Sequence, residues 1–209
     1  WEQARTRVVL KSGDYVKTSA NGSAEIVFLD GTLYTVRPNT LFLVTRQPGI
    51  AGAATEQQIA MEYGWVNLNT AQRGGRVTTP RAEALVGRES DVVVSYDKAS
   101  STGRFSAFRG SLEVASNAGL KRTVAELEQV VQTGDLLSDP RRLPPAPEPE
   151  QPSDNLEVSL AAVKTLVLAW KPVDLAARYA LQVSRSRLFV DNVIDVDART
   201  KPQATLGLK

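Results

Sequence analysis

The sequence lacks both cysteine and histidine among its 209 residues and has a single methionine. These absences exclude thiolate nucleophiles, disulfide bonds, serine–histidine–aspartate triads, and zinc sites built on imidazole or thiolate. Any catalytic centre would have to use carboxylates, lysine, tyrosine or hydroxyl groups. No recognisable motif combines such groups, so we predict a protein that is not an enzyme and uses no cofactor or metal ion.

Long hydrophobic runs are also absent. A membrane-spanning helix needs about 20 consecutive apolar residues, and no stretch of this sequence approaches that length. The chain begins with Trp1-Glu2-Gln3-Ala4-Arg5 rather than with the apolar segment of a signal peptide. We therefore expect any leader or membrane anchor to lie in an upstream segment that is not part of this sequence.

Charge of one sign is not in excess. Lysine and arginine number 25, aspartate and glutamate number 23, and the two signs are interspersed to give a net charge of +2. Domains that bind nucleic acid usually gather their basic residues on one face. The charge balance thus argues against a nucleic-acid partner.

Proline is concentrated in one part of the chain. Six of the 11 prolines lie between Asp139 and Pro152. Proline cannot donate a backbone hydrogen bond and favours extended polyproline geometry. We interpret residues 139–155 as a linker between a module at 1–138 and a second module at 156–209. A ligand for a proline-recognising domain is the alternative.

The first module has the pattern of an all-β domain. Short strands with apolar alternation are predicted at 24–29, 32–36, 41–44, 59–63, 65–68, 76–79, 82–86, 91–96, 104–108 and 111–114. Asp30-Gly31 predicts a two-residue hairpin turn, and Arg109-Gly110 is a second hairpin candidate. We predict two further short strands, rather than a helix, over Thr123–Gln132. Strands of this length and spacing indicate a β-solenoid or a sandwich-like fold.

The second module shows the alternation of a sandwich. Leu166, Leu168 and Trp170 alternate on one predicted strand, and Tyr179 begins the next. Later strands are expected at 193–196 and 204–208. A complete immunoglobulin-like sandwich has about seven strands in about 100 residues, so we expect this module to be incomplete.

Residues 1 to about 138 resemble a FecR domain. The similar segments occur in the family's order: Leu10–Thr18, Ser23–Thr32, Val36–Thr40, Gly64–Leu68, Val77–Ala82, Phe108–Val114 and Gly134-Asp135. The second module is similar to fibronectin type III or related immunoglobulin-like repeats at 168–173, at 177–183 and at Phe189. In such repeats the positions of Trp170 and Tyr179 belong to the core.

The FecR resemblance implies an extracytoplasmic location, in the periplasm or at the cell surface. The best-known proteins of this type pass a signal from an outer-membrane receptor to a sigma factor, and other members combine the domain with sandwich or cell-wall-binding modules. The resemblance leads us to expect a non-enzymatic interaction or scaffold module of the bacterial envelope with a protein partner. A peptidoglycan or carbohydrate binder and the periplasmic part of a FecR-type regulator are the alternatives.

Aromatic residues are the candidate binding groups. Tyr63 and Trp65 are two positions apart and would share one face of a strand. With Tyr34, they form a possible binding surface for a sugar ring or a protein, although burial in the core is the simpler interpretation. A free strand edge that recruits a partner strand is a further possibility.

Acidic residues give weaker indications. Glu25, Glu62 and Asp91 would have to lie about 5–10 Å apart in a cleft to hydrolyse a glycosidic bond. Asp191, Asp195 and Asp197 alternate along a predicted strand, which indicates a solvated face rather than a calcium loop. We therefore predict no catalytic pair and no metal site.

Overall fold

The fold is described from a computed structural model, which covers residues 2–3, 8–28, 30–46, 57–157, 159, 163–174, 176, 178–184 and 192–207. Within these residues there are 19 strands and no helix, which confirms the predicted all-β class. The chain divides into two compact units, Trp1–Leu143 and Pro144–Lys209.

The first unit contains fourteen strands joined in one continuous sheet. They are β1 (Tyr15–Lys17), β2 (Ala24–Val27), β3 (Leu33–Val36), β4 (Leu41–Arg46), β5 (Gln57–Asn69), β6 (Gly75–Thr78), β7 (Ala82–Val86), β8 (Asp91–Asp97), β9 (Thr102–Arg109), β10 (Leu112–Ser116), β11 (Lys121–Val124), β12 (Glu128–Thr133), β13 (Leu136–Leu137) and β14 (Arg141–Arg142).

The long strand β5 divides this sheet into two arms. Its residues 57–63 pair with β4, and residues 57–60 also pair with β6, in a first arm of order β1-β4-β5-β6-β7-β10-β11. Its residues 64–69 pair with β8, and residues 66–69 also pair with β3, in a second arm of order β2-β3-β5-β8-β9-β12-β13. All pairings are antiparallel except that of β5 with β6.

Both arms contribute to one hydrophobic core. Strands β7 and β10 alternate between buried and partly exposed positions, because successive side chains point to opposite faces of a strand. The largest buried side chains include Phe42 and Ile59 from the first arm and Tyr34, Leu68 and Phe105 from the second. The sheet therefore folds over a single core with the outer faces of its two arms pointing away from it.

The loop between β2 and β3 is one residue longer than predicted. The Gly31 N–H donates to Phe28 O at 3.0 Å, and the Phe28 N–H donates to Thr32 O at 2.9 Å. These bonds define a three-residue hairpin loop that ends in Gly31, which has a φ of +87°. The Asp30 carboxylate accepts bonds from the Thr32 N–H and hydroxyl, both at 3.0 Å.

Arg109-Gly110 does not form the predicted hairpin. β9 pairs with β8 and β12 in the second arm, whereas β10 pairs with β7 and β11 in the first. The chain therefore crosses from one arm to the other at Gly110. The two short strands predicted over Thr123–Gln132 are confirmed as the end of β11 and most of β12.

A repeated hydrogen-bond arrangement holds the turns that lead into β4 and β8. In the first, the Thr18 hydroxyl donates to Arg37 O at 2.7 Å and accepts from the Thr40 N–H at 2.9 Å. The Thr18 N–H also donates to Thr40 O at 2.9 Å. We call this arrangement the first clasp. Both threonines are buried, so the clasp satisfies backbone groups that water does not reach.

The second clasp repeats these bonds later in the chain. The Thr70 hydroxyl donates to Gly87 O at 2.7 Å and accepts from the Ser90 N–H at 2.9 Å. The Thr70 N–H donates to Ser90 O at 2.9 Å. Asn39 and Glu89, each just before the second hydroxyl residue of its clasp, have matching left-handed φ values of 55° and 53°.

The surrounding strands follow the same correspondence. The first clasp lies between β3 and β4 in the chain. The second clasp lies between β7 and β8 in the same way. β4 and β8 are thus equivalent strands of the two repeats. β4 lies in the first arm and β8 in the second, so equivalent strands lie in different arms. The first unit is therefore built on an internal repeat, which the sequence reading did not identify.

Parts of the predicted linker, residues 139–155, form short strands. Arg141-Arg142 form β14, which pairs with β12 of the first unit, and the division between units falls after Leu143. Pro149–Gln151 form β15 on the edge of a three-stranded sheet in the second unit. An edge strand tolerates proline because one side of it has no strand to which it must donate.

The second unit contains β15, β16 (Thr165–Trp170), β17 (Tyr179–Ser184), β18 (Asn192–Arg199) and β19 (Gln203–Gly207). β15, β16 and β19 form one antiparallel sheet, and β17 and β18 form another. The rings of Trp170 and Tyr179 meet edge to face with centroids 5.4 Å apart. Phe189 and Asp191 lie outside the described residues, as do the side chains of Asp195 and Asp197.

Candidate functional site

A shallow open groove of about 420 Å³ lies beside the bend in β5 where the two arms of the first unit join. Its lining includes two aromatic residues predicted from the sequence and several polar or charged ones. These lining residues include Asn39, Tyr63, Trp65, Asp97, Lys98 and Arg104.

Gly64 creates the local shape of this groove. Its φ of +109° lies in a region that side-chain-bearing residues rarely adopt, and a Cβ at this position would overlap Thr40. The Thr40 hydroxyl, part of the first clasp, accepts from the Trp65 N–H at 3.0 Å. The register of β4 against β5 shifts between Leu41 and Phe42. The resulting bulge brings Tyr63 and Trp65 to the same groove.

Trp65 is flanked by polar and charged residues. The Arg37 guanidinium carbon lies 4.1 Å from the centroid of the Trp65 ring, within cation–π distance. On the next strands, Ser95 pairs with Trp65 and Arg104 pairs with Ser95. Since directly paired residues point to the same face of a sheet, these side chains form one row on the outer face of the second arm.

Asp97 organises the turn at one end of the groove. Its carboxylate accepts from the Ala99 N–H at 2.8 Å and from the Ser100 N–H at 3.4 Å. The Ala99 and Ser100 bonds, together with the charge of Arg104, hold the pKa of the Asp97 carboxyl below its ordinary value. Asp97, Lys98 and Arg104 are all exposed, so the charged lining of the groove carries two positive charges and one negative charge.

The lowered pKa of Asp97 can be measured directly. We expect its side-chain carboxyl to titrate below the value of an aspartate in a short peptide, by NMR of the carboxyl carbon. A depressed folded-state pKa stabilises the fold above the unfolded value, and the contribution is lost as the pH falls through the folded value. A midpoint at or above the peptide value would contradict the turn described here.

The three predicted aromatic residues occupy different environments. Tyr63 and Trp65 are half-buried and line the groove. Tyr34 is fully buried, its ring packs 4.8 Å from that of Phe28, and burial raises the pKa of its hydroxyl. Tyr34 is therefore a core residue, and we leave it out of the candidate surface.

Equivalent positions in the internal repeat show what the fold itself requires. Gly110 corresponds to Gly64, and a Cβ there would overlap Ser90 of the second clasp. The Ser111 N–H donates to the Ser90 hydroxyl at 3.3 Å, as the Trp65 N–H does to that of Thr40. The glycine and the hydroxyl are kept in both copies, whereas Trp65 corresponds to Ser111. The aromatic side chain is thus not needed to form this turn.

By the same correspondence, Tyr63 matches Arg109, since each residue directly precedes the glycine of its repeat. Arg109 ends β9 and is exposed. Neither Tyr63 nor Trp65 therefore has an aromatic counterpart. Sequence reasoning found this pair but missed Asn39, Lys98 and Arg104, because their approach depends on strand pairing and on the clasp.

Strand edges form a second candidate surface. Among the described residues, β1 pairs only with β4 and β2 pairs only with β3. Tyr15 on β1 is 54% exposed and Val27 on β2 is 71% exposed. Such edges present backbone groups that can pair with another strand.

The predicted acidic residues are not joined into a site. Glu25 is exposed on β2, Glu62 is exposed on β5, and Asp91 on β8 accepts from the Asn67 side chain at 2.9 Å. The described part of the chain contains no group of three or more acidic residues placed to hold a metal ion. It also contains no helix that is long and apolar enough to cross a membrane.

The all-β fold of the first unit has known relatives. Residues 14–113 match the family model described as FecR protein, which confirms the predicted FecR domain over that range. No curated protein matches the sequence. The fibronectin-like resemblance of the second unit stays a prediction.

Solved structures with a similar fold include two of a protein described as "a putative anti-sigma factor from Parabacteroides distasonis ATCC 8503". Each has a TM-score of 0.51 and 15% identity, and the alignment covers 62% of this chain and 60% of the other. At this identity the likeness establishes the fold alone.

Proposed function

We propose that this protein is the extracytoplasmic part of a FecR-type signal-transduction regulator and acts by binding a protein partner. The observation that carries the proposal is the match of residues 14–113 to the FecR family model. The fold shared with the structures described as anti-sigma factors supports the same class. Its location would be the periplasm or the cell surface, and it would act without catalysis.

The groove is the surface best suited to this binding. Tyrosine, tryptophan and arginine are enriched among the residues that dominate protein–protein binding energies. Tyr63, Trp65 and Arg104 bring these three residue types together in one groove. The internal repeat supports a binding role, because the equivalent turn forms with Arg109 and Ser111 in place of the aromatic pair.

A cell-wall glycan is the second candidate ligand. It is favoured by the hydrogen-bonding side chains of Asn39, Ser95 and Asp97, which line the same groove as Tyr63 and Trp65. Sugar-binding sites combine aromatic rings with such polar groups. The two candidates differ in what the groove should retain from the cell envelope.

Capture from crosslinked bacterial envelopes distinguishes them. With the full chain as bait, we expect one envelope protein to be recovered in stoichiometric amount by mass spectrometry. The Trp65→Ser variant introduces serine, the residue type at the equivalent position of the second repeat. It should recover much less of this envelope protein. The matched control Phe108→Ser replaces an exposed aromatic residue outside the groove and should have no effect.

Other results would contradict specific parts of the proposal. Recovery of cell-wall fragments alone, sensitive to Trp65→Ser, would contradict a protein partner and favour the glycan. Recovery of the same protein by both variants, with loss in a Tyr15→Lys, Val27→Lys double variant, would move the interface to the edges of β1 and β2.

We also propose that residues 156–209 belong to a fibronectin-like sandwich. The hydroxyl of Tyr179 accepts from the Val173 N–H at 3.0 Å. A tyrosine hydroxyl bonded to the backbone a few residues upstream is a recurrent feature of such sandwiches. The packing of Tyr179 against Trp170 gives further support, since both positions were expected in a sandwich core.

A further inference from the structure

We propose that the groove beside the β5 bulge recognises an acidic segment of the partner polypeptide. A carboxylate side chain of this segment lies between Lys98 and Arg104, and a neighbouring apolar side chain packs against Tyr63 and Trp65. This inference rests on the proposed function as a protein-binding module and adds the chemistry of the partner.

The charge of the groove is the first argument. Lys98 and Arg104 are both exposed at its lining, and among the described residues neither forms an ion pair. Asp97 also lines the groove, and its carboxylate accepts from two backbone N–H groups of its own turn. The two cations outnumber this one carboxylate, so the charged lining is net positive and complementary to a carboxylate.

The aromatic pair is the second argument. Tyr63 and Trp65 are half-buried rather than packed in the core, and their counterparts in the second repeat are Arg109 and Ser111. The turn does not need these two aromatic rings in order to form. Their presence at a solvent-accessible groove therefore indicates that they contact an apolar group of a partner. Rings of this kind at the centre of an interface contribute most when a partner excludes water from them.

The contact of Arg37 with the Trp65 ring favours a polypeptide over a sugar as the ligand of the groove. Arg37 lies 4.1 Å from the centroid of the Trp65 ring, so one face of the indole is already occupied. A sugar ring stacks on an open aromatic face, whereas an amino-acid side chain can also pack against the ring edge. The groove is shallow and open, as expected for a surface that receives a segment of another protein rather than an enclosed small molecule.

The proposal is tested by selecting short phage-displayed peptides on the immobilised full chain. We expect enriched peptides to carry aspartate or glutamate next to an aromatic or aliphatic residue. Synthetic versions should bind at least about tenfold more weakly to Trp65→Ser and to the Lys98→Glu, Arg104→Glu double variant. Their affinity should also fall as the salt concentration rises, because the charged groups are exposed.

Two matched variants control for general effects. Arg73→Glu reverses a charge on the exposed loop between β5 and β6, and Phe108→Ser removes an exposed aromatic ring outside the groove. Both should bind the selected peptides with unchanged affinity. Circular dichroism and urea unfolding of each variant establish that a loss of binding does not come from a loss of folding.

Three outcomes of the peptide selection would overturn the inference. They are selection of neutral or basic peptides, equal binding by the groove variants and the controls, and absence of any peptide that distinguishes wild type from Trp65→Ser. Binding of an anionic cell-wall disaccharide with the same variant dependence, and no peptide enrichment, would also overturn it in favour of a glycan. If envelope capture still recovers one protein in these cases, the proposed function stands and only the acidic segment is wrong.

Discussion

Replacement of Gly64 by alanine is expected to lower the free energy of unfolding by about 3 kcal/mol or more. Two costs add at this position. The backbone φ of +109° is unfavourable for alanine, and the new Cβ would overlap the side chain and Cα of Thr40. Thr40 cannot move away easily, because its hydroxyl is bonded to the Trp65 N–H and its backbone N–H is bonded in the first clasp. Urea denaturation of the full chain measures the effect.

Gly119→Ala provides the matched control. Gly119 also has a positive φ, +82°, but nothing lies within 4 Å of the position of its Cβ. Its substitution should therefore cost only the conformational strain, about 1–2 kcal/mol. Gly110→Ala, at the equivalent position of the second repeat, should behave like Gly64→Ala. Equal effects at Gly64 and Gly119 would show that the close approach to Thr40 is absent.

The second large effect is expected for Thr70→Val, at about 2–3 kcal/mol. Valine has nearly the same shape as threonine but has no hydroxyl. The Ser90 N–H and the Gly87 carbonyl, which bond to that hydroxyl at 2.9 and 2.7 Å, would each lose this partner. Thr70 is 2% exposed, so water cannot readily replace the lost bonds.

Thr70→Ser separates the hydroxyl from the methyl group. Serine retains both hydrogen bonds and should cost about 1 kcal/mol through the lost methyl packing. The unfolding transitions of the two variants, compared in the same buffer, give the contribution of the hydroxyl. Equal destabilisation by valine and serine would mean that the clasp bonds contribute little.

Much of the fold could be predicted from local patterns. Two-residue alternation placed the strands around Ala82–Val86 and Asp91–Tyr96, and Gly31 marked the loop between β2 and β3. Such features depend on a few neighbouring residues, so they are visible in a single sequence. Arg109-Gly110 shows the limit of this reasoning. A glycine with positive φ indicates a turn, but it does not indicate whether the flanking strands pair with each other.

The candidate site was only partly predictable for a related reason. Tyr63 and Trp65 stand out in the sequence as neighbouring aromatic residues, but their exposure is set by the positive φ of Gly64 and by its close approach to Thr40. Tyr34 was included with them as a further aromatic residue of a predicted strand, but it packs in the core. Alternation shows which residues share a face, whereas only the packed structure shows which face is covered.

The internal repeat is hard to see in the sequence because each clasp requires few particular side chains. Val36-Arg37-Pro38-Asn39-Thr40 and Val86-Gly87-Arg88-Glu89-Ser90 share a valine and a terminal hydroxyl residue. In each clasp one threonine hydroxyl, that of Thr18 or Thr70, bonds a backbone carbonyl and a backbone N–H, and the other residues contribute only backbone groups. Two different sequences therefore form the same arrangement.

The sequence by itself determined the all-β class, the lack of thiol and imidazole chemistry, and the FecR resemblance, because these depend on composition and on short ordered motifs. Tertiary structure alone decided the pairing of distant strands, the burial of Tyr34, and the approach of Lys98 and Arg104 to Tyr63 and Trp65. The physical reason is that strand partners and burial follow from contacts between residues far apart in the chain, where a single sequence carries little information.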